Sequence, residues 1–156
     1  MLFGFENGKV SKIFMKSYKT ETQRKRLKNA YNNNSKIVYV DPIKEDVELV
    51  SISSIKKVLI FNTAQVSPKE SRNSQGNQVM KSKNNSIMRK IKKVNQVSFQ
   101  NIEYYRKNIP AIGNYLLSGD IILRLSHIEI ILSFLQSFMQ ESYQFPQEIP
   151  AKNVRE

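Results

Sequence analysis

Val58-Leu-Ile-Phe61-Asn62-Thr-Ala-Gln-Val66-Ser-Pro68-Lys69-Glu-Ser-Arg72-Asn-Ser74-Gln75-Gly76-Asn-Gln-Val-Met80 is the stretch from which the fold is read. Four β-branched, aliphatic and aromatic residues, Val58 to Phe61, predict a strand, and Asn62-Thr63-Ala64 has turn chemistry. Val66 resumes the apolar pattern, and Pro68 ends a ladder because proline has no N–H to donate. The expected layout is strand, tight turn, second strand, then a polar basic loop from Ser67 to Asn77 carrying Lys69, Ser71, Arg72, Asn73, Ser74, Gln75 and Gly76.

The start of the chain has the same plan. Leu2 to Ser11 aligns on Val58 to Ser67 at a shift of 56, with Phe5 on Phe61 and Val10 on Val66. Asn7-Gly8 between apolar runs is a strong hairpin signal. Farther on the shift becomes 52, so that Thr22-Gln23 matches Ser74-Gln75. A slipping period near 50, with insertions in loops, is the pattern of sheet-blade arrays. On this alignment the loop 17–29, with Lys19, Arg24, Lys25, Arg26 and Lys28, is the equivalent of the loop 67–77.

Other segments fill in a mainly β chain. Ile13-Phe14-Met15 reads as an apolar return, Ile37 to Val40 as a buried strand ended by Asp41-Pro42, and 47–52 as a half-exposed strand. Ile87 to Val94 interleaves Arg89, Lys90, Lys92 and Lys93 with apolar residues and reads as a strand with a cationic face, following Lys81 and Lys83. Residues 99–110 form an aromatic-basic connector. Three parts are expected: blades over 1–118, an apolar and helical segment over 119–143, and a loosely ordered tail over 144–156. In the second, Asp120 caps a seam of Ile121, Leu125, Ile128, Leu132, Leu135 and Met139, which offers a homodimer contact over 121–139. Arg124, His127 and Glu129 argue against a membrane span, since a charge near a bilayer centre costs about 3 kcal/mol.

Charge is the strongest functional signal. The net charge is +12, and residues 1–108 hold 22 Lys/Arg against 8 Asp/Glu, whereas 109–156 hold 3 against 5. Cations confined to the blade region point to a polyanion, and nucleic acid is the first candidate. Cysteine is absent, which excludes disulfides and thiolate metal sites and favours a cytoplasmic setting. No secretory signal pattern stands at the start of this sequence.

Several residues invite chemistry and are better read as structural. His127 has no partner ligand, and Glu45, Asp46 and Glu48 read as a solvated turn with no nucleophile beside them. Tyr104, Tyr105 and Tyr115 read as packing groups, because a duplex has no unstacked base to offer a ring.

Phe5 to Ile13, Tyr18 to Leu27 and Asn29-Ala30-Tyr31, then Leu59 to Lys69 and Ser71 to Met80, resemble successive blades of the DNA-wrapping C-terminal domain of bacterial type IIA topoisomerases, found in gyrase A and topoisomerase IV A. Glu103 to Gly113 resembles a connector of Gram-positive members. The resemblance covers about 1–118 and implies a partial β-pinwheel of two to three four-stranded blades, with a C-terminal helix beyond it. It implies a non-catalytic module that binds and bends double-stranded DNA on a basic rim. The DNA-binding set is then Lys19, Arg24, Lys25, Arg26, Lys28, Lys69, Arg72, Ser74, Gln75, Gly76, Lys81, Lys83, Arg89, Lys90, Lys92 and Lys93. It further implies that the catalytic tyrosine, ATP and Mg2+ belong to the remainder of the gyrase A-like polypeptide and to the separate ATPase subunit of the parent enzyme. No cofactor or metal is then expected in this chain, and the location is the bacterial nucleoid. Residues 23–29 lack the glycines of the gyrase basic box, which leans the resemblance toward topoisomerase IV or a gyrase-like paralogue. The rival readings are a structural or oligomerising module with an incidental basic face, and a single-stranded nucleic-acid binder.

Overall fold

Two antiparallel hairpins organise the chain. In the computed structural model, which describes residues 1–22, 26–83 and 85–120, β1 (Leu2–Phe5) turns through Asn7-Gly8 into β2 (Lys9–Ile13). Gly8 N–H donates to the Phe5 carbonyl at 3.0 Å and Lys9 N–H to Asn7 Oδ1 at 3.1 Å, which closes the turn that the Asn-Gly pair predicts. A 3-10 turn over Met15–Tyr18 and a long excursion follow, and β3 (Ile37–Asp41) then pairs with β1. The second hairpin is β4 (Glu48–Ser53) with β5 (Lys57–Asn62), and a 3-10 turn over Thr63–Gln65 follows it.

The chain then leaves the second sheet. β6 (Pro68–Lys69) runs parallel to β2, and β7 (Asn77–Gln78) runs antiparallel to the same strand. Only after completing the first sheet does it return, as β8 (Met88–Lys93) on β4. One helical turn, α1 (Ile102–Tyr105), and β9 (Asn114–Tyr115) on β5 end the described fold. The first sheet is ordered β3-β1-β2 with β6 and β7 sharing the outer edge of β2; the second is β8-β4-β5-β9. The chain is thus mainly β, with the two four-position sheets of a partial pinwheel.

This topology corrects the hairpin expected over 58–66. Asn62 does turn the chain, its side chain accepting from Ala64 N–H at 2.8 Å. The turn directs the backbone to another sheet, however, and β5 takes its hairpin partner from upstream. It also corrects the repeat. Hairpins superpose at a shift of 48, with Leu2↔Lys12 matching Val50↔Ile60, and the third strands at 51, with Phe3↔Val40 matching Ser51↔Ile91 and a bulge after Gly4 matching one after Ile52. Outer strands superpose at a shift of 38 in their parallel half, where Lys12↔Pro68 matches Ile60↔Arg106, and of 37 in their antiparallel half, where Lys9↔Gln78 matches Lys57↔Tyr115. The loop equivalent to 69–76 is therefore 107–113, one residue shorter, and 17–29 is not its counterpart.

Burial on both faces explains the unbroken apolar runs. Leu59 and Phe61 join Leu2, Val10, Leu49, Met88 and Ile91 in the layer between the sheets. Val58 and Ile60 pack with Val50, Ile52, Val97 and Tyr105 on the far side of the second sheet. On the far side of the first, Phe3, Phe5 and Ile13 meet Tyr18 and Ile37. Hence β4, expected to be half-exposed, is buried from Leu49 through Ser53. Phe14 and Met15, expected in an apolar return, are exposed on the 3-10 turn. The seam 121–139, His127 and the tail lie outside the described residues.

Ion pairs cross the layer at both of its edges. Lys93 Nζ lies 2.9 Å from Asp41 Oδ2. Opposite, Lys12 binds Asp46, whose carboxylate also accepts from the buried Thr63 hydroxyl at 2.9 Å, while Val47 N–H donates to Thr63 Oγ1 at 2.9 Å. Asp46 is exposed, as expected of a turn residue, and is in addition a clamp that the sequence did not show. The hydrogen bond from Lys12, then that from Thr63, holds its carboxyl below the ordinary 3.8. A carboxyl whose pKa is depressed on folding adds stability that is complete above its unfolded value and is lost as pH falls through the folded one. The side chain is 42% exposed, so the contribution is about 1 kcal/mol or less. Urea unfolding from pH 6 down to pH 2.5 should show wild type losing its advantage over Asp46→Asn below about pH 4; parallel curves for the two proteins would remove the clamp.

Candidate nucleic-acid interface

Two loops meet at the outer edge of the first sheet. The 15–36 excursion leaves the end of β2 and returns to β3 across the Phe3-Phe5-Ile13 face. It is pinned where Tyr18 Oη donates to the Ala30 carbonyl at 2.9 Å. The Tyr31 ring leans on Phe3 with centroids 6.0 Å apart. Asn32, 6% exposed, donates through Nδ2 to the Asn73 carbonyl at 2.9 Å, so a buried amide ties this excursion to the 70–76 loop. Burial raises the Tyr18 pKa, and the charge of Arg72 on the other loop opposes that rise. Arg26, Lys28, Asn29, Tyr31 and Asn33 line an open cleft of 460 Å³.

The sequence-predicted residues fall into three groups. Lys19, Arg26 and Lys28 are exposed on the excursion, with Lys69, Arg72, Ser74, Gln75 and Gly76 on the neighbouring loop. Arg24 and Lys25 lie outside the described residues. Within that loop Ser74 Oγ accepts from Gly76 N–H at 3.2 Å, and Gln75 Oε1 accepts from Lys9 Nζ at 2.7 Å. Lys81 and Lys83 are exposed in the segment that crosses toward β8, past the two hairpin turns. Arg89, Lys90, Lys92 and Lys93 sit on β8, the opposite edge of the second sheet. Lys90 and Lys92 pair with Ile52 and Val50 and share their outward face, whereas Lys93 is engaged by Asp41. The expected cationic face of this strand is present, on the edge away from the paired loops.

Gly76 has a backbone reason to be glycine. Its φ is +75°, and a Cβ there would stand 2.2 Å from the Val10 carbonyl oxygen. Gly113, φ +79°, lies in the same way against the Val58 carbonyl, at 2.7 Å. The two positions are related by the shift of 37.

Sequence reasoning missed the second of these loops. Arg106 to Ile112 contains Arg106, which grips Glu48 through Nε and Nη2 at 2.8 Å each and also binds Glu103, and the exposed Lys107. That grip holds the Glu48 carboxyl below its ordinary range, so Glu48, like Asp46, is a structural anchor. The signal was the pair Gly76-Asn77 and Gly113-Asn114, each followed by one larger residue and two apolar ones. Tyr105 packs as expected, fully buried, its hydroxyl donating to Asp120 at 2.5 Å; burial and then that bond push its pKa up to about 12. Tyr115 does not pack in the core: it is 61% exposed, with Lys57 Nζ 4.7 Å from its ring centre.

Among the described residues no cluster of three His, Cys, Asp or Glu is placed to hold a metal, and no helix is long and apolar enough to cross a membrane. No protein-family model and no curated protein matches the chain. Solved structures do. The C-terminal domain of DNA topoisomerase IV superposes with a TM-score of 0.61 at 19% identity, over 80% of this chain and 46% of that one. The DNA gyrase A C-terminal domain superposes with a TM-score of 0.54 at 17% identity, over 80% and 48%.

The chain has the fold of these topoisomerase C-terminal domains. It spans just under half the length of either. In this fold the exchanged outer strands set where the basic loops sit, and the glycine at the end of each loop lets the strand close on its neighbour. Gly76→Ala should lower unfolding free energy by about 2–4 kcal/mol, from left-handed backbone strain plus the carbonyl clash. Gly113→Ala should do the same to a smaller degree. A urea midpoint unchanged in Gly76→Ala would contradict the closure.

Proposed function

We propose that this chain is a non-catalytic module that binds and bends double-stranded DNA, and that it serves the gyrase A-like polypeptide of a type IIA topoisomerase. One observation carries the reading. The buried Asn32–Asn73 bond draws two cationic loops, far apart in sequence, to one edge of a fold shared with topoisomerase C-terminal domains. Lys19, Arg26, Lys28 and Arg72 there, with Arg24 and Lys25 of the same excursion, form the centre of the phosphate-contacting set. Lys69, Ser74, Gln75 and Gly76 border it, and Lys81 and Lys83 extend it. Arg89, Lys90, Lys92 and Lys93 then meet DNA that has travelled around the stack to its other edge.

Phosphate neutralisation supplies most of the affinity, so sequence preference is weak and follows bendability. Strand passage, with its tyrosine, ATP and magnesium, belongs to the rest of that polypeptide and to the separate ATPase subunit of the enzyme, in the nucleoid. The rim serves duplex in preference to single strands, because its loops offer point charges and forks and few stacking rings.

With about 6 to 10 cations on phosphate, log affinity should fall with log salt at a slope near −5 to −9. Reversing Arg26 and Lys28 to glutamate should weaken duplex binding and flatten the slope by about 2. A salt titration in which the slope is unchanged would take those residues off the contact surface. Single-stranded DNA that outcompetes duplex would overturn the choice of ligand.

A further inference from the structure

We propose that the loop 107–113 is an apolar wedge: Ile112, with Pro110 beside it, enters between base pairs of a duplex held by Lys81, Lys83 and Lys107, and kinks it there. The inference rests on the reading of the chain as a duplex-DNA module. It concerns a loop to which the sequence assigned no contact.

The loop is held rigidly. Lys107 N–H donates to the Ile60 carbonyl at 3.2 Å and Ile109 N–H to Gln65 Oε1 at 3.1 Å. Ala111 is fixed twice, its N–H to the Val79 carbonyl at 3.0 Å and its carbonyl to Lys81 N–H at 2.8 Å. Gly113 closes the far end against Val58. Ile109 and Ala111 turn inward onto the layer between the sheets, and alternation leaves Pro110 and Ile112 facing out, Ile112 38% exposed. The parallel bridge Met80↔Ala111 puts Lys81 next to Ile112 on that outward side.

The first sheet supplies the comparison. Its loop is one residue longer and ends on the equivalent glycine, and, counted back from that glycine, Asn73 and Gln75 stand where the second sheet has Pro110 and Ile112. Gln75 is engaged by Lys9. One loop therefore presents amides and the other, on a like scaffold, two apolar side chains with Lys81 beside them. Isolated surface apolar residues are common, but here the backbone spends its hydrogen bonds holding the pair outward. Proline and isoleucine on a cationic support are what wedge-inserting DNA-bending proteins present, and such insertion kinks a duplex by about 20–90° at steps that unstack easily.

The test uses the full chain and short duplexes carrying 2-aminopurine at successive TA steps, with end-to-end energy transfer reporting the bend. Wild type should raise 2-aminopurine fluorescence at least twofold at one or more positions and shorten the end-to-end distance. Ile112→Ser should abolish the rise and straighten the duplex, with affinity falling less than tenfold; Pro110→Ala should act in the same direction. Saturable binding with a silent probe, or a rise that survives Ile112→Ser, overturns the wedge alone. Absence of duplex binding by wild type at low salt overturns the DNA reading and the wedge together.

Discussion

The constraint on which this molecule depends is that β2 cannot close its own outer edge. A hairpin strand with an open row of N–H and C=O groups needs a partner or a cover. Here that partner is the 66–80 segment, which leaves the second sheet to lie along β2, first parallel and then antiparallel. The second sheet receives the same treatment from Arg106 and β9. Because the outer strands of the first sheet arrive from beyond the second hairpin, the sheets are interlaced by covalent chain as well as packed through Leu2, Val10, Leu59 and Phe61. The clamps Lys12–Asp46 and Asp41–Lys93 then fix the two sheets against each other.

Interlacing also fixes the basic loops. The parallel half of each outer strand ends near the end of its hairpin strand and the antiparallel half begins nearer the hairpin turn, so the residues between must loop outward. In the first sheet that loop meets the excursion after β2, and the buried Asn32 amide locks the two together. Cations that the sequence separates by about forty residues thereby share one edge. The second sheet builds an equivalent loop, one residue shorter, and presents Lys107, Pro110 and Ile112. One architecture thus gives a polar loop and an apolar one, and on the proposed reading the first grips phosphate while the second kinks.

Strands were legible where local chemistry decides them. Asn7-Gly8 marks a turn by its backbone preference alone, and Val58 to Phe61 admits little other than a strand buried on both faces. The direction of the chain after Asn62 was not legible, because turn chemistry states that the backbone bends and not which edge it next pairs with. That single ambiguity produced the false hairpin and the shift of 56. The true shifts, 48 for the hairpins, 51 for the third strands and 38 to 37 for the outer strands, differ because each sheet draws on three separated segments, so no single period describes the sequence. The ion pairs of Asp46 and Glu48 were not legible because their cationic partners, Lys12 and Arg106, are distant in sequence. The charge imbalance was legible from composition alone, whereas the separation of the β8 cations onto the opposite edge required the topology.

Lysine reactivity tests the central claim, that interlaced loops place a cationic edge against duplex DNA, most directly. Brief acetylation of the full chain with and without a saturating duplex, read site by site by mass spectrometry, should show protection of Lys19, Lys28 and Lys69 on the paired loops and of Lys81 and Lys107 beside the second loop. Lys44, in the connection between β3 and β4, should react equally in both. Uniform reactivity at the loop lysines, or protection centred on Lys44, would contradict the account.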